Sequence, residues 1–252
     1  MAGHSHWAGI KHKKALVDAK RGKLWSRLSK AIIIAAKMGG GDPDMNVRLR
    51  TAIDDAKAVS MPKENITRAI KRGTGELAGV TYESVTYEGY GAGGVAVLCE
   101  VLTDNRNRTA PEIRKLFEVS DGKLGAAGCV AWMFEKKGLF LIPIGKIDED
   151  RLMEIALEAG ADDVSPSGQN FEITCRPESY QAVKEALAAA GIEPEVAELS
   201  LIPKNTVDIE DAETARKVLK LMERLDDHDD VQSVSANFNI PDSIMAEIGS
   251  EA

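Results

Sequence analysis

Lys20, Lys23, Arg27 and Lys30 recur at intervals of three and four residues. At 100° per residue that spacing puts all four on one side of a helix. Contacts to successive phosphates require long cationic side chains in such a row. Arg21 adds a further charge, and a basic arm without periodicity precedes it: His4, His6, Trp7, Lys11, His12, Lys13 and Lys14. Trp7 and the histidines offer flat rings for stacking on bases, the chemistry by which single-stranded or folded RNA is held. The competing reading is a solvated helix face with Trp7 packed on its own domain. Charge decides for binding. Residues 1–76 hold 16 Lys+Arg against 7 Asp+Glu, a surplus of nine, whereas the remainder holds 16 against 33. The overall net charge of −8 therefore hides a basic region. Screening over about 8–10 Å lets that region hold phosphates although the chain as a whole is anionic.

Arg106 and Arg108 stand just before Thr109-Ala-Pro-Glu112, which has the spacing of a capping box. Two arginines at a helix N-terminus suit an anion, and equally suit pairing with the acidic surface. Met61-Pro62-Lys63-Glu64-Asn65 reads as a helix start that can also present a tip to RNA. Gly91-Ala-Gly93-Gly94 precedes a strand rather than a helix, so it is a turn and not a phosphate loop. Glu88-Gly-Tyr-Gly-Ala lacks the flanking cation and aromatics of an RNA-recognition motif. His4, His6 and His12 have no carboxylate or Cys at fixed spacing, and Asp226-Asp-His-Asp-Asp230 has no glycine or terminal Glu for a calcium loop, so a solvated acidic turn is expected there. Cys99, Cys129 and Cys175 are far apart and odd in number, as free thiols of a reducing compartment are. No Walker sequence, nucleophile elbow or zinc pair occurs. We expect no enzyme, no metal and no cofactor.

These residues need a scaffold, and the periodicity supplies it. A helix is expected from about Leu16 to Met38, burying Leu24, Trp25, Leu28, Ile32 and Ala35 and ending at Gly39-Gly40-Gly41. Asp42-Pro43 is expected to cap and open a second helix, with Met45, Leu49, Ala52, Ile53 and Ala56 inward. Pro62 opens a third, carrying Ile66, Ala69 and Ile70, with Gly73 as the residue just beyond its end. From Tyr82 the pattern turns to strands: Tyr82–Tyr90, Val95–Leu102, and an alternating Val130, Trp132, Phe134. A helix carrying Ile113, Leu116 and Phe117 intervenes. Strand Leu139–Ile144, a helix capped by Asp148, a hairpin around Pro166-Ser-Gly168, a helix opened by Pro177 and strand Val196–Ile202 complete a β-α-β-β-α-β unit. The helix Ala212–Leu225 and the strand Val231–Phe238 make no domain alone. The expected fold is therefore α+β: an N-terminal three-helix domain followed by two ferredoxin-like α/β domains, the last inserted into the middle one. The boundaries are 1–78, 79–137 plus 205–252, and 138–204.

Four stretches carry a resemblance: AGHSHWAGIKHKKALVDAKRGKLWSRLSKAI, MPKENITRAIKRGTG, YEGYGAGGVAVLCEVLTDNRNRTAPEIRKLF and LGAAGCVAWMFEKKG. Together they are similar to the YebC/PmpR family over essentially the whole chain. His6 and Gly9 stand where that pattern leads to Lys and Asn. The resemblance implies three domains and DNA-binding regulation of transcription. It also implies an alternative, a ribosome-associated factor that relieves stalling at proline-rich sequences, and organellar members are translational activators.

Nucleic acid, as DNA or as ribosomal RNA, is the expected partner, with no membrane partner and a monomer favoured. The apolar run Ala31–Ala36 is too short to span a bilayer and the N-terminus has no secretory pattern, so a cytoplasmic location is expected. A metabolite-sensing ferredoxin-like protein is a further alternative, by analogy of fold alone.

Overall fold

The computed structural model describes residues 21–79 and 81–250. Helices α1 (Arg21–Gly39), α2 (Val47–Ala58) and α3 (Lys63–Gly73) form the first unit. Ile32, Ala35 and Ala36 of α1 pack on Leu49, Ile53 and Ala56 of α2 and on Ile66 and Ala69 of α3. Gly73 is needed for this contact: a Cβ there would lie 2.5 Å from the Ile33 carbonyl oxygen and 2.7 Å from the Ala36 Cβ. It is the last residue of α3 rather than the residue beyond it, and the left-handed position falls to Gly75, at φ 83°.

The expected cap at Asp42 is replaced by Asn46. Its buried Oδ1 accepts from the Leu49 N–H at 3.1 Å, and its Nδ2 donates to the Ala35 and Gly40 carbonyls, both at 2.8 Å. One amide side chain thus opens α2 and closes α1, which a carboxylate has no donor to do. Met45 in consequence precedes the helix and is 83% exposed instead of core-facing.

Two four-stranded sheets follow. Strands β1 (Glu83–Tyr90), β2 (Ala96–Thr103), β3 (Lys123–Leu124) and β9 (Val231–Ala236) form the first, in the order β3-β1-β2-β9. Helices α4 (Arg106–Glu118) and α7 (Ala212–Asp226) cover it, burying Phe117, Val218 and Leu221 on Val97, Cys99 and Val101. Strands β4 (Phe134–Pro143), β5 (Ala161–Ser167), β6 (Asn170–Cys175) and β7 (Val196–Pro203) form the second, in the order β5-β6-β4-β7, with every pair antiparallel. Its helices are α5 (Glu149–Glu158) and α6 (Tyr180–Ala189). This is the ferredoxin-like order. The first sheet is likewise antiparallel throughout, but counted along the chain its strands lie third-first-second-fourth, against second-third-first-fourth in the second sheet. The second unit is inserted between β3 and β9. A parallel bridge of β8 (Val207–Asp208) with β10 (Phe238–Asn239) and a last helix, α8 (Asp242–Ser250), extend the first sheet's unit beyond the expected elements.

Two further expectations are corrected. Thr109 does not cap α4; Asn105 does, accepting from the Arg108 N–H at 3.1 Å. Thr109 instead turns its hydroxyl toward Asp230, so Arg106 and Arg108 lie inside the helix's first turn and Pro111 lies within the helix. Trp132 does not belong to a strand. Residues Ala131–Met133 form a 3-10 turn, with Val130 and Phe134 buried on either side and Trp132 66% exposed. The buried carboxylate of Glu88 shapes that turn by accepting from the N–H groups of Gly128, Val130 and Ala131 at 2.6–2.8 Å. Burial opposes its charge, but the three donors outweigh it and hold its carboxyl below the usual range.

The helical unit also meets the inserted one. Burial pushes the Asp55 carboxyl on α2 up to about 6, with Lys184 opposing the rise and Asp54 and Glu198 adding to it. The stability that protonated Asp55 contributes is complete below about pH 4 and is lost as pH rises through about 6. Asp55→Asn is therefore expected to stabilise the protein at pH 7 by about 1–3 kcal/mol. In urea unfolding the gain should vanish near pH 4; a constant gain across that range would refute the account.

Candidate nucleic-acid interface

Of the expected site residues, His4, His6, Trp7, Lys11, His12, Lys13, Lys14 and Lys20 lie outside the described residues, and Arg21 is described in its backbone alone. Lys23, Arg27 and Lys30 do share one side of α1. They face protein, Arg27 and Lys30 more fully than half-buried Lys23. Lys23 Nζ lies 3.6 Å from Asp227 Oδ1, Arg27 Nη1 3.2 Å from Asp226 Oδ1 and Lys30 Nζ 2.7 Å from Asp230 Oδ1. Asp226 is the last residue of α7, and Asp227 and Asp230 belong to the turn between α7 and β9, so these three cations each meet a carboxylate at that end of α7. The ammonium of Lys30 also donates to the Asp229 carbonyl at 3.0 Å and sits 5.5 Å from the Tyr82 ring centroid.

Asp230 is the centre of this contact. The turn that the sequence suggested as solvated carries it into a buried position, 3% exposed. Arg108 Nη2 donates to its Oδ2 at 2.6 Å, and the hydroxyls of Thr109 and Thr103 lie 2.8 and 3.1 Å from the same oxygen. Burial works against the charge, yet the hydrogen bonds from Lys30, Thr109 and Arg108 hold the carboxyl far below the ordinary carboxylate range. The Asp230 N–H donates to His228 Nδ1 at 3.1 Å, so the neutral ring carries its proton on Nε2, which donates to Glu112 at 3.0 Å. A polar cleft of about 650 Å³ opens beside these groups, lined by Lys30, Tyr82, Arg108, Glu112 and His228 among others. Arg108 is thus spoken for by Asp230 and Asp104, while Arg106 stays exposed at the start of α4.

A second set of cations on the helical unit points outward. Arg68, Lys71 and Arg72 are exposed on α3, opposite buried Ile66 and Ala69. Their spacing of three and four residues makes one face, which the same 100° projection finds in the sequence once the helix bounds are known. Lys37 at the end of α1 and Lys63 at the start of α3 are exposed on the same unit. Among the described residues, none of these five cations makes an ion pair. The face can therefore receive anions without first giving up a partner. Asn65, from the expected loop tip at the start of α3, is only half-exposed.

Among the described residues no group of His, Cys, Asp and Glu is arranged to hold a metal ion, and no helix is long and apolar enough to cross a membrane. Cys99 and Cys175 are buried and Cys129 is half-buried, all as free thiols. Burial pushes the Cys175 thiol up to about 11, and the other two upward as well, which leaves none of them a ready nucleophile.

Residues 5–76 match a family model described as the TACO1/YebC protein N-terminal domain, and residues 82–238 match one described as the TACO1/YebC second and third domain. The chain is 57% identical over 248 residues to a "Probable transcriptional regulatory protein" of Rhodopirellula baltica, covering 98% of this chain and 100% of that one. It is 58% identical over 247 residues to one so named from Desulfatibacillum aliphaticivorans, with the same coverage. A crystal structure of a conserved hypothetical protein from Aquifex aeolicus superposes with a TM-score of 0.84 at 52% identity, covering 94% of this chain and 97% of the other.

Proposed function

The chain belongs to the TACO1/YebC family, and on that footing we propose that it is a non-enzymatic regulator of gene expression that holds nucleic acid through its helical unit. The outward face of Arg68, Lys71 and Arg72 carries this reading. Three unpaired cations on one helix face, in a region with a surplus of nine positive charges, make a phosphate-contacting surface. The basic arm with His4, His6, Trp7, Lys11, His12, Lys13 and Lys14 is a further contact, as are Lys20 and Arg21. Arg106 is a further contact, set apart on α4. The names of the relatives support a role in regulating transcription, and in that role the polyanion held would be DNA.

One observation favours RNA or a ribosomal surface instead. A DNA-recognition helix reads base edges from its N-terminal residues. The outward cations Arg68, Lys71 and Arg72 run from the middle of α3 to its last turn, and in its first turn Lys63 is offset by Glu64. Such a helix touches backbone phosphates and leaves sequence unread, which suits a partner known by shape. Sedimentation of cell lysate through sucrose separates the two readings. Co-migration with ribosomal particles, lost on RNase treatment, would place the function in translation. Co-migration with chromosomal fragments, lost on DNase treatment, would place it in transcription. Migration at the top of the gradient under both low and moderate salt would overturn the nucleic-acid reading.

A further inference from the structure

We infer that Lys23, Arg27 and Lys30 are a second phosphate-binding face, and that the acidic turn Asp226–Asp230 occupies it as an internal substitute for a nucleic-acid backbone. The inference rests on the nucleic-acid reading and adds its regulation. Three observations carry it. First, each of the three cations has an acid against it, Asp227 against Lys23, Asp226 against Arg27 and Asp230 against Lys30, so a row of anions lies along a row of cations as a phosphodiester chain would. Second, the fit at Arg27 is incomplete. Asp226 engages Nη1, while Nε and Nη2 are buried without any hydrogen-bond acceptor. A guanidinium presents a fork of donors that a phosphate, with several acceptor oxygens, can fill. The turn is an inferior ligand for this residue, and an inferior ligand can be displaced.

Third, the acids sit where folding alone disfavours them. Asp226 ends α7 and Asp227 is its C-cap, at the negative end of the helix dipole. Asp226 and Asp227 take no part in the hydrogen bonds that Asp230 makes with Arg108, Thr109 and Thr103. Asp230 therefore anchors the turn to α1 and to α4, and the two preceding acids cover the stripe. A polyanion held on the outer α3 face would compete with Asp226 and Asp227 for Lys23 and Arg27, opening the contact between α1 and the turn.

The test is binding of the full chain to a labelled single-stranded RNA and a labelled DNA duplex, read by fluorescence anisotropy over a range of salt. D226N/D227N is expected to bind more tightly by on the order of tenfold and to steepen the salt dependence by about one to two released ions. Adding R27A to that variant should cancel most of the gain. E149Q/E158Q removes the same charge from exposed positions on α5 and should change affinity little. If the wild type binds and D226N/D227N gains no more than E149Q/E158Q, the acidic turn is not a competitor and the inference falls while the nucleic-acid reading stands. A gain that survives R27A overturns it in the same way. If neither the wild type nor D226N/D227N holds either probe at low salt, the nucleic-acid reading falls and takes the inference with it.

Discussion

Asp230→Ala is expected to cost about 3–5 kcal/mol, the range found when one partner of a buried ion pair is removed. Lys30 is 8% exposed, and its ammonium has no second carboxylate bonded to it among the described residues. Without Asp230 it keeps the Asp229 carbonyl alone, and the hydroxyls of Thr103 and Thr109 lose their shared acceptor. Arg108 retains Asp104, so its share of the loss is small. The damage should fall on the docking of the helical unit. Trp25 reports on that unit, since its indole N–H is bonded to the Val59 carbonyl at 3.2 Å. Unfolding of several units is not a single transition, so the loss is to be read as an earlier midpoint for the Trp25 signal. The pH dependence has a definite sign. A depressed folded value means that the contribution is present above the ordinary carboxylate pKa of about 4 and is lost as pH falls further. The wild type should therefore weaken below about pH 4 more steeply than Asp230→Ala. A loss under about 1 kcal/mol, or identical acid profiles, would show that the contact is a surface pair of little weight.

Much of this arrangement was legible in the sequence because it depends on local periodicity. The spacing of Ile32 and Ala35 marks the inner side of α1, and the β-α-β-β-α-β run from Leu139 to Ile202 orders the second sheet. What the cationic stripe faces was not legible. Arg27 and Asp226 are 199 residues apart, and no periodicity connects them. Asn46 displaced Asp42 as a cap because only an amide can serve two helices at once. Thr109 was drawn from its capping role by Asp230, a partner distant in the chain. Trp132 lies between two inward residues, which looks like strand alternation until Glu88, on another strand, gathers the turn around it. The α3 face was missed for a different reason. Arg68, Lys71 and Arg72 were visible, but the more numerous cations near the N-terminus drew the reading to α1.

The central claim, that the helical unit holds nucleic acid by its outer face, is tested most directly with R68E/K71E/R72E. These side chains are exposed and no described residue pairs with them, so reversal should leave the fold intact. Each cation that neutralises a phosphate releases about 0.7–0.9 counterion, so three should make the slope of log affinity against log salt shallower by about two to three. Affinity at low salt should fall on the order of a hundredfold. The measurement is anisotropy of labelled RNA and DNA with the full-length wild type and this variant, across a salt series, with circular dichroism to check folding. The account predicts a weaker variant with a shallower salt slope and unchanged helix content. A folded variant that binds as the wild type does, with the same salt slope, would contradict it.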